Sequence, residues 1–511
     1  MGVIMRILGL SASLRNARYG SGSEAFIADL QSIETKDDLF DYLEKQTKFR
    51  FDDFVASGRD EKKPFDEIYK ELRKLRGERG LSNSEGALAA SLWGAAQEGA
   101  EIRHVSLSSH FPMTGKGRDL DRLRSEIMDA DAIIVSGPVY FGDRGSLAQS
   151  LLEFLAADEV LAKSCRGKIY AGLAVGAKRN GGQETTLIYQ MLDMINLDFL
   201  AVGNSSETTS QYGGTVVAGD VGKMHEDEYG INTCIGTGQR VARVAKLIAK
   251  ENEDYHLKDP LKIQLWLLQD TADGDGRKMF DKWCRDVSGD RTDIDFQIFD
   301  LMREEVTRCI ACDICPTHVG PTEEYRCIIK TAQDFFVRQH EQIVEADAVL
   351  LCAYSPEDRS TVVSVYQQFI ERTRYLRRDN YVLSDLLCAP FVISELSARQ
   401  NLNLRMMTSG MRHHTVVHHP IIGMVKDGEL LNPNRVIEVG KNFVENARKL
   451  AIGRHRVGAP DDLLYHPIGY EISAEKALDD KRTGRTKDML DKVAESRAVK
   501  SEIRLKKIRL K

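Results

Sequence analysis

One passage of helix followed by buried strand occurs twice in this 511-residue chain, and a fold that must be made twice is the strongest constraint the sequence carries. The first copy, "LRSEIMDADAIIVSGPVYF", holds Asp129-Ala130, Asp131-Ala132 and a strand running to Pro138. The second, "RQHEQIVEADAVLLCAYSPED", holds Ala346, Asp347, Ala348 and a strand running to Pro356. Further on, "QYGGTVVAGDVG" faces "MRHHTVVHHPIIG", which aligns Thr215-Val216-Val217 with Thr415-Val416-Val417. Both halves close in a Gly-led amphipathic helix, "GTGQRVARVAKLIAK" and "VGKNFVENARKLAI". The chain reads as a tandem duplication.

Within each half, short apolar strands alternate with amphipathic helices; they lie near residues 4–10, 102–107, 132–136 and 169–175, then 262–268 and 348–353. Strands that are apolar throughout belong to parallel sheets covered on both faces, so each half is expected to be a doubly wound α/β domain with its ligand at the carboxyl ends of the strands. The polar stretch "KENEDYHLKDP" marks the join, giving domains over 1–255 and 256–455 and an extension over 456–511. With 71 Lys and Arg against 77 Asp and Glu, the chain lacks the basic excess that a nucleic-acid partner demands. The opening apolar run is too short for a secretory signal, and Arg6 stands where a myristoylation motif needs Ser or Thr. No run of 18 apolar residues occurs, so a cytoplasmic protein with reduced thiols and no membrane partner is expected.

The first strand runs into "LGLSASLRN", a turn whose Ser11, Ser13 and Arg15 offer hydroxyls, backbone N–H groups and a guanidinium to a phosphate dianion. Two stretches offer the small polar residues that complete such a turn, "GSGSEAFIADL" at 20–30 and "LSNSEGALAASLWGAAQEGAEIRHVSL" at 81–107. The second fits better, because Ser82, Asn83 and Ser84 cap a helix leading to the next strand while the first runs into dense charge. Residues 16–81 therefore read as a helical insertion that splits the phosphate loop, either as a solvated helical hairpin or as a lid or oligomer contact.

The segments "SASLRN", "SNSEGALAASLWGAAQEGAEI", "SGPVYFGDRGSLAQSLLEF" and "AVGAKRNGGQETTL" resemble, in order, the flavin-contacting loops of the NAD(P)H-dependent FMN reductase and iron-sulfur flavoprotein family. The resemblance implies an α/β chain of two tandem flavodoxin-like doubly wound parallel-sheet domains, with a helical insertion in the first and a helical or disordered C-terminal tail. It implies that Ser13, Arg15, Ser82, Asn83 and Ser84 hold the FMN phosphate, and that Pro138, Val139, Tyr140, Phe141 and Gly142 pass beneath the isoalloxazine. Gly181, Gly182, Gln183 and Glu184 would edge the ring system, where glycines allow the close backbone approach a flavin needs. The second half departs from this pattern, because Asp270, Asp273 and Asp275 stand in place of the hydroxyls and arginine, and carboxylates repel a phosphate. It is expected to have lost FMN.

Four of the nine cysteines, Cys309, Cys312, Cys315 and Cys327, fall in "VTRCIACDICPTHVGPTEEYRCIIK". Cys-x-x-Cys-x-x-Cys spacing suits three corners of a [4Fe-4S] cubane, and the resemblance implies a cluster at this place. Cys327 would be its fourth ligand across eleven intervening residues, a longer gap than in the iron-sulfur members. Zinc, redox thiols and packing are the competing readings. The other five, Cys165, Cys234, Cys284, Cys352 and Cys388, are isolated and expected to be buried as small apolar residues. His413, His414, His418 and His419 would lie two to each face of a strand, as metal ligands, as filling for the vacated flavin crevice or as contacts to the flavin of the other half. The tail from Glu475 carries 13 Lys and Arg against 7 Asp and Glu, a solvated extension or an arm for an acidic electron-transfer partner.

Taken together, these features predict an FMN-dependent oxidoreductase that passes electrons from NAD(P)H through FMN to a small-molecule or protein acceptor, by way of a [4Fe-4S] cluster in the second domain, as a homo-oligomer. A ferredoxin-linked electron carrier without nicotinamide use and a non-enzymatic flavin-binding interaction protein are the rival readings.

Overall fold

Long apolar runs become strands wherever the chain crosses the middle of a sheet, and they do so in two separate units, Met1–Lys246 and Leu247–Lys511. The computed structural model describes residues 4–57, 62–74, 79–112, 117–205, 211–249, 254–269, 275–311, 327–355, 361–378, 381–396 and 401–457. In the first unit, β1 (Arg6–Ser11), β2 (Glu101–Ser106) and β3 (Ala132–Tyr140) are parallel, and β4 (Asp143–Arg144) folds back on β3. β5 (Ile169–Gly176) follows beside β3; β6 (Leu200–Ala201) and β7 (Gly214–Val217) flank its amino and carboxyl halves. Counted by parallel strands the order is 2-1-3-4-5, and its switch point lies between β1 and β3.

The second unit has the same order. β8 (Leu261–Gln269) lies between β9 (Ile294–Asp300) and β10 (Ala348–Ser355), and β11 (Leu387–Glu395) follows β10. β12 (Val416–Val417) and β13 (Ile421–Lys426) flank the amino and carboxyl halves of β11, and β14 (Glu429–Leu430) turns back on β13. This register revises the alignment of the two TVV segments. Val416-Val417 begins beside Leu387, as Leu200-Ala201 begins beside Ile169, so the counterpart of β7 is β13 and not the TVV strand.

The repeated Ala-Asp-Ala has a structural cause. Asp131 accepts the Arg6 amide at 2.8 Å through its carboxylate and returns its own N–H to the Arg6 carbonyl; Asp347 does the same with Lys262 at 2.9 Å. Each aspartate thus fixes the register of the two central strands at their amino ends.

Three helices separate β1 from the helix that crosses back to β2. They are α1 (Ser21–Gln31), α2 (Lys36–Ala56) and α3 (Phe65–Lys74), followed by α4 (Asn83–Gln97). The solvated-hairpin reading of this insertion fails for its first two helices. Phe26, Leu30, Leu39 and Leu43 are buried, and the Trp93 indole of α4 donates to the Ile33 carbonyl at 3.0 Å. α3 turns Phe65 and Tyr69 to solvent, and α2 exposes Phe51 near its end.

Candidate functional site

Ser11, the last residue of β1, is the register partner of Ser136, midway along β3, on the edge where a 2-1-3-4-5 sheet opens its crevice. The Ala12 amide donates to Ser136 O at 2.8 Å, and the Ser136 hydroxyl donates to Ser84 O at 2.7 Å, bringing the start of α4 to the same edge. Ser82 caps that helix by accepting the Glu85 amide at 3.3 Å, leaving the Asn83 and Ser84 amides at the positive end of the helix dipole. The Ser13 hydroxyl accepts the Arg15 amide at 3.2 Å and tightens the turn. Ser11 Oγ is buried without a hydrogen-bond partner among the described residues, while the Arg15 side chain is exposed.

The two halves of the interrupted loop meet. Asn16 donates from Nδ2 to Gly80 O at 3.0 Å and accepts the Ser82 amide on Oδ1 at 2.7 Å, and Arg18 Nη2 donates to the same Gly80 carbonyl at 2.8 Å. Beneath them Glu85, wholly buried in the first turn of α4, lies 3.1 Å from Arg18 Nε and 3.3 Å from His104 Nε2. A carboxylate there would oppose a phosphate at the helix end, and the Arg18 guanidinium offsets it. Sequence reasoning missed Asn16, Arg18, Glu85 and His104. No motif spacing marks residues that meet only when a loop is closed across an insertion.

The remaining residues named from the sequence form the next part of the edge. Phe141 and Gly142 take φ values of 53° and 79° between β3 and β4, the geometry of a type I′ hairpin, and Phe141 is fully exposed at its tip. Gly182, at φ 99°, packs so closely that a Cβ there would stand 2.8 Å from Gly142 Cα. Pro138 to Gly142 and Gly181 to Glu184 are therefore neighbours. Gln183 faces inward: its Nε2 donates to Lys178 O and its Oε1 accepts the Gly181 amide, both at 2.8 Å, while Glu184 is exposed.

The corresponding edge of the second unit is filled. Leu267 and Cys352 stand in the places of Ser11 and Ser136, and the last register partners, two residues further on, are Gln269 and Tyr354. A Cβ on Gly276, at the start of the helix Gly276–Ser288, would lie 2.6 Å from Gln269 Oε1 and 2.9 Å from Tyr354 Cβ, so these side chains occupy the crevice floor. Asp275 precedes this helix; Asp270 and Asp273 lie outside the described residues.

Cys309 and Cys327 are half-buried and form no disulfide among the described residues, and Cys312 and Cys315 lie outside these, as does the basic tail. Asp334 joins the two limbs of their segment. It accepts the Thr307 amide at 2.8 Å and Arg372 Nη2 at 3.0 Å, in an ion pair sealed from solvent. Among the described residues no three His, Cys, Asp or Glu side chains gather as metal ligands. Cys165, Cys234, Cys284, Cys352 and Cys388 are buried, and burial raises the pKa of each thiol.

The histidine segment is mostly not a strand. His413 ends the helix Leu402–Arg412, and His414, at φ 63°, turns the chain and accepts the Asp385 amide on its carbonyl at 3.0 Å. Asp198, at φ 64°, accepts the Gly167 amide in the same way in the first unit. His413 and His414 therefore lie at the amino end of β11 and β12, away from the crevice they were expected to fill.

A 2-1-3-4-5 parallel sheet with a serine-lined loop, a helix start and a glycine-rich turn on one carboxyl edge defines the first unit as a flavodoxin-like α/β protein. The chain belongs to the family of NADPH-dependent FMN reductases and iron-sulfur flavoproteins. The profile "NADPH-dependent FMN reductase" matches residues 78–208. An iron-sulfur flavoprotein of Methanocaldococcus jannaschii is 33% identical over 168 residues, covering 30% of this chain and 86% of that protein. An NAD(P)H dehydrogenase (quinone) of Caulobacter vibrioides is 30% identical over 132 residues, covering 24% of this chain and 65% of that protein. The crystal structure of a WrbA-like flavodoxin from Agrobacterium tumefaciens aligns over 47% of this chain and 98% of its own, at 14% identity and a TM-score of 0.26. No helix among the described residues is long and apolar enough to cross a membrane.

Proposed function

We propose that the first unit binds one FMN at the β1–β3 switch point and oxidises NAD(P)H, and that the second unit, a duplicated flavodoxin-like domain, binds none. The observation that carries this reading is the closed phosphate loop: an orphan buried Ser11 hydroxyl and the start of α4 share one edge, stitched across the insertion by Asn16 and Arg18. FMN, when bound, supplies acceptance of a hydride and its onward delivery. Ser11, Ser13, Arg15 and the Ser82 to Ser84 amides would hold its phosphate. Pro138 to Gly142 and Gly181 to Glu184 would support the ring, with the close approach of Gly182 to Gly142 keeping that wall thin. Cys309, Cys312, Cys315 and Cys327 would hold a [4Fe-4S] cluster in the second unit, a reading supported by four thiols in one segment whose limbs Asp334 draws together.

The test is the visible spectrum of protein purified without oxygen, followed by NADH or NADPH added anaerobically. Bleaching of a flavin band by either nucleotide is expected. A flavin that only reduced ferredoxin bleaches would replace the reductase reading with an electron carrier, and absence of flavin after reconstitution with FMN would reject both.

A further inference from the structure

Helix α2 of the insertion holds both halves of the split loop. Its Arg50 Nη2 donates to the Arg15 carbonyl at 2.9 Å, and its Gln46 carbonyl accepts the Leu81 amide at 3.3 Å. Gly80 passes so near that a Cβ there would stand 2.9 Å from both Gln46 O and Phe49 Cβ. Only 11% of the Arg50 side chain is exposed, its Nε has no hydrogen-bond partner among the described residues, and its counter-ion Asp53 is 3.6 Å away. Burial lowers the Arg50 pKa; Arg15 and Arg18 push the same way, against Asp53 and Glu85. A buried guanidinium with a donor unused and only a loose ion pair, to Asp53, has attraction left for a further anion.

We propose that Arg50 is a positioning residue for the flavin phosphate: by holding the Arg15 carbonyl it fixes the peptide that presents Arg15 to the dianion, so the insertion is part of the cofactor site. This rests on the FMN reading above. FMN and riboflavin, which differ by the phosphate alone, are titrated into full-length protein and into Arg50→Met and Arg50→Lys by quenching of flavin fluorescence. Arg50→Met is expected to weaken FMN roughly tenfold or more, as for loss of a charge-assisted hydrogen bond, and to leave riboflavin within about twofold. Arg50→Lys keeps the charge without the planar fork and is expected to lose less, again for FMN only, which preserves the comparison should Arg50→Met not fold. In an Arg15→Ala background the loss from Arg50→Met should shrink, because the two act through one peptide.

Equal losses for both flavins would make Arg50 a matter of stability, and additive losses with Arg15→Ala would make it a direct ligand; either overturns the proposal, as does undiminished FMN affinity. Wild-type protein that binds neither flavin would overturn the FMN reading itself, and this proposal with it.

Discussion

In the loop proposed to hold the phosphate, Arg15 is exposed and not committed to a buried carboxylate, unlike Arg18, which lies against Glu85. Arg15→Ala should therefore weaken FMN by about 1.5 to 3 kcal/mol, the worth of a hydrogen bond to a charged group, measured by flavin titration. His413 gives a prediction for the second unit. It is buried with Nε2 2.9 Å from Thr373 Oγ1, and burial, with Arg377 and Arg412 nearby, lowers its pKa to about 3. Above the ordinary value near 6.5 neither folded nor unfolded chain protonates it. As the pH falls below that value the unfolded chain takes up a proton that the folded chain refuses, so stability declines until about pH 3, by roughly 2 kcal/mol at pH 5. The pH dependence of the unfolding midpoint between pH 7 and 5 should flatten in His413→Gln. An unchanged slope would assign the acid sensitivity elsewhere.

At the scale of elements, the insertion is two things. α1 and α2 bury Phe26, Leu30, Leu39 and Leu43, each worth about 1.5 to 3 kcal/mol, whereas α3 leaves Phe65 and Tyr69 in solvent. Deleting residues 17–80 should therefore unfold the first unit. Replacing only residues 58–78 with a flexible linker of similar length should shift its stability by no more than about 0.5 kcal/mol, as read by thermal unfolding. Similar midpoints for the two deletions would mean that α1 and α2 do not support the sheet. The reading of residues 16–81 as an interruption rested on Ser82, Asn83 and Ser84 resuming a turn begun at Ser13. That α1 and α2 join the core was signalled only by the i, i+4 pairs Phe26/Leu30 and Leu39/Leu43, and the dense charge around them reads equally well as a solvated hairpin.

For the molecule as a whole the decisive quantity is stoichiometry. With Gln269 and Tyr354 on the crevice floor of the second unit, reconstitution with FMN should give one flavin per chain; two would require that crevice to open. If the four cysteines hold a cubane, anaerobically prepared protein should contain about four irons per chain with matching sulfide. Cys312→Ser should then remove the iron and leave the flavin. Iron-free protein with full activity toward one-electron acceptors would return these cysteines to packing or thiol chemistry.

The sequence alone determined what depends on local pattern: apolar runs that must be covered on both faces, a hydroxyl-rich turn, a glycine pair at GGQE, and an Ala-Asp-Ala repeat. It also carried the family, since those loops are short and contiguous. It misaligned the TVV segments, because three β-branched or small residues in a row recur wherever a short strand is buried; only the pairing of Val416 with Leu387 shows which strand is which. Closure of the loop by Asn16 and Gly80, the burial of Glu85 between Arg18 and His104, and the brace of Arg50 were decided by the tertiary structure. Each joins residues tens of positions apart, and such contacts are chosen by how helices pack on a sheet, which no spacing along the chain encodes.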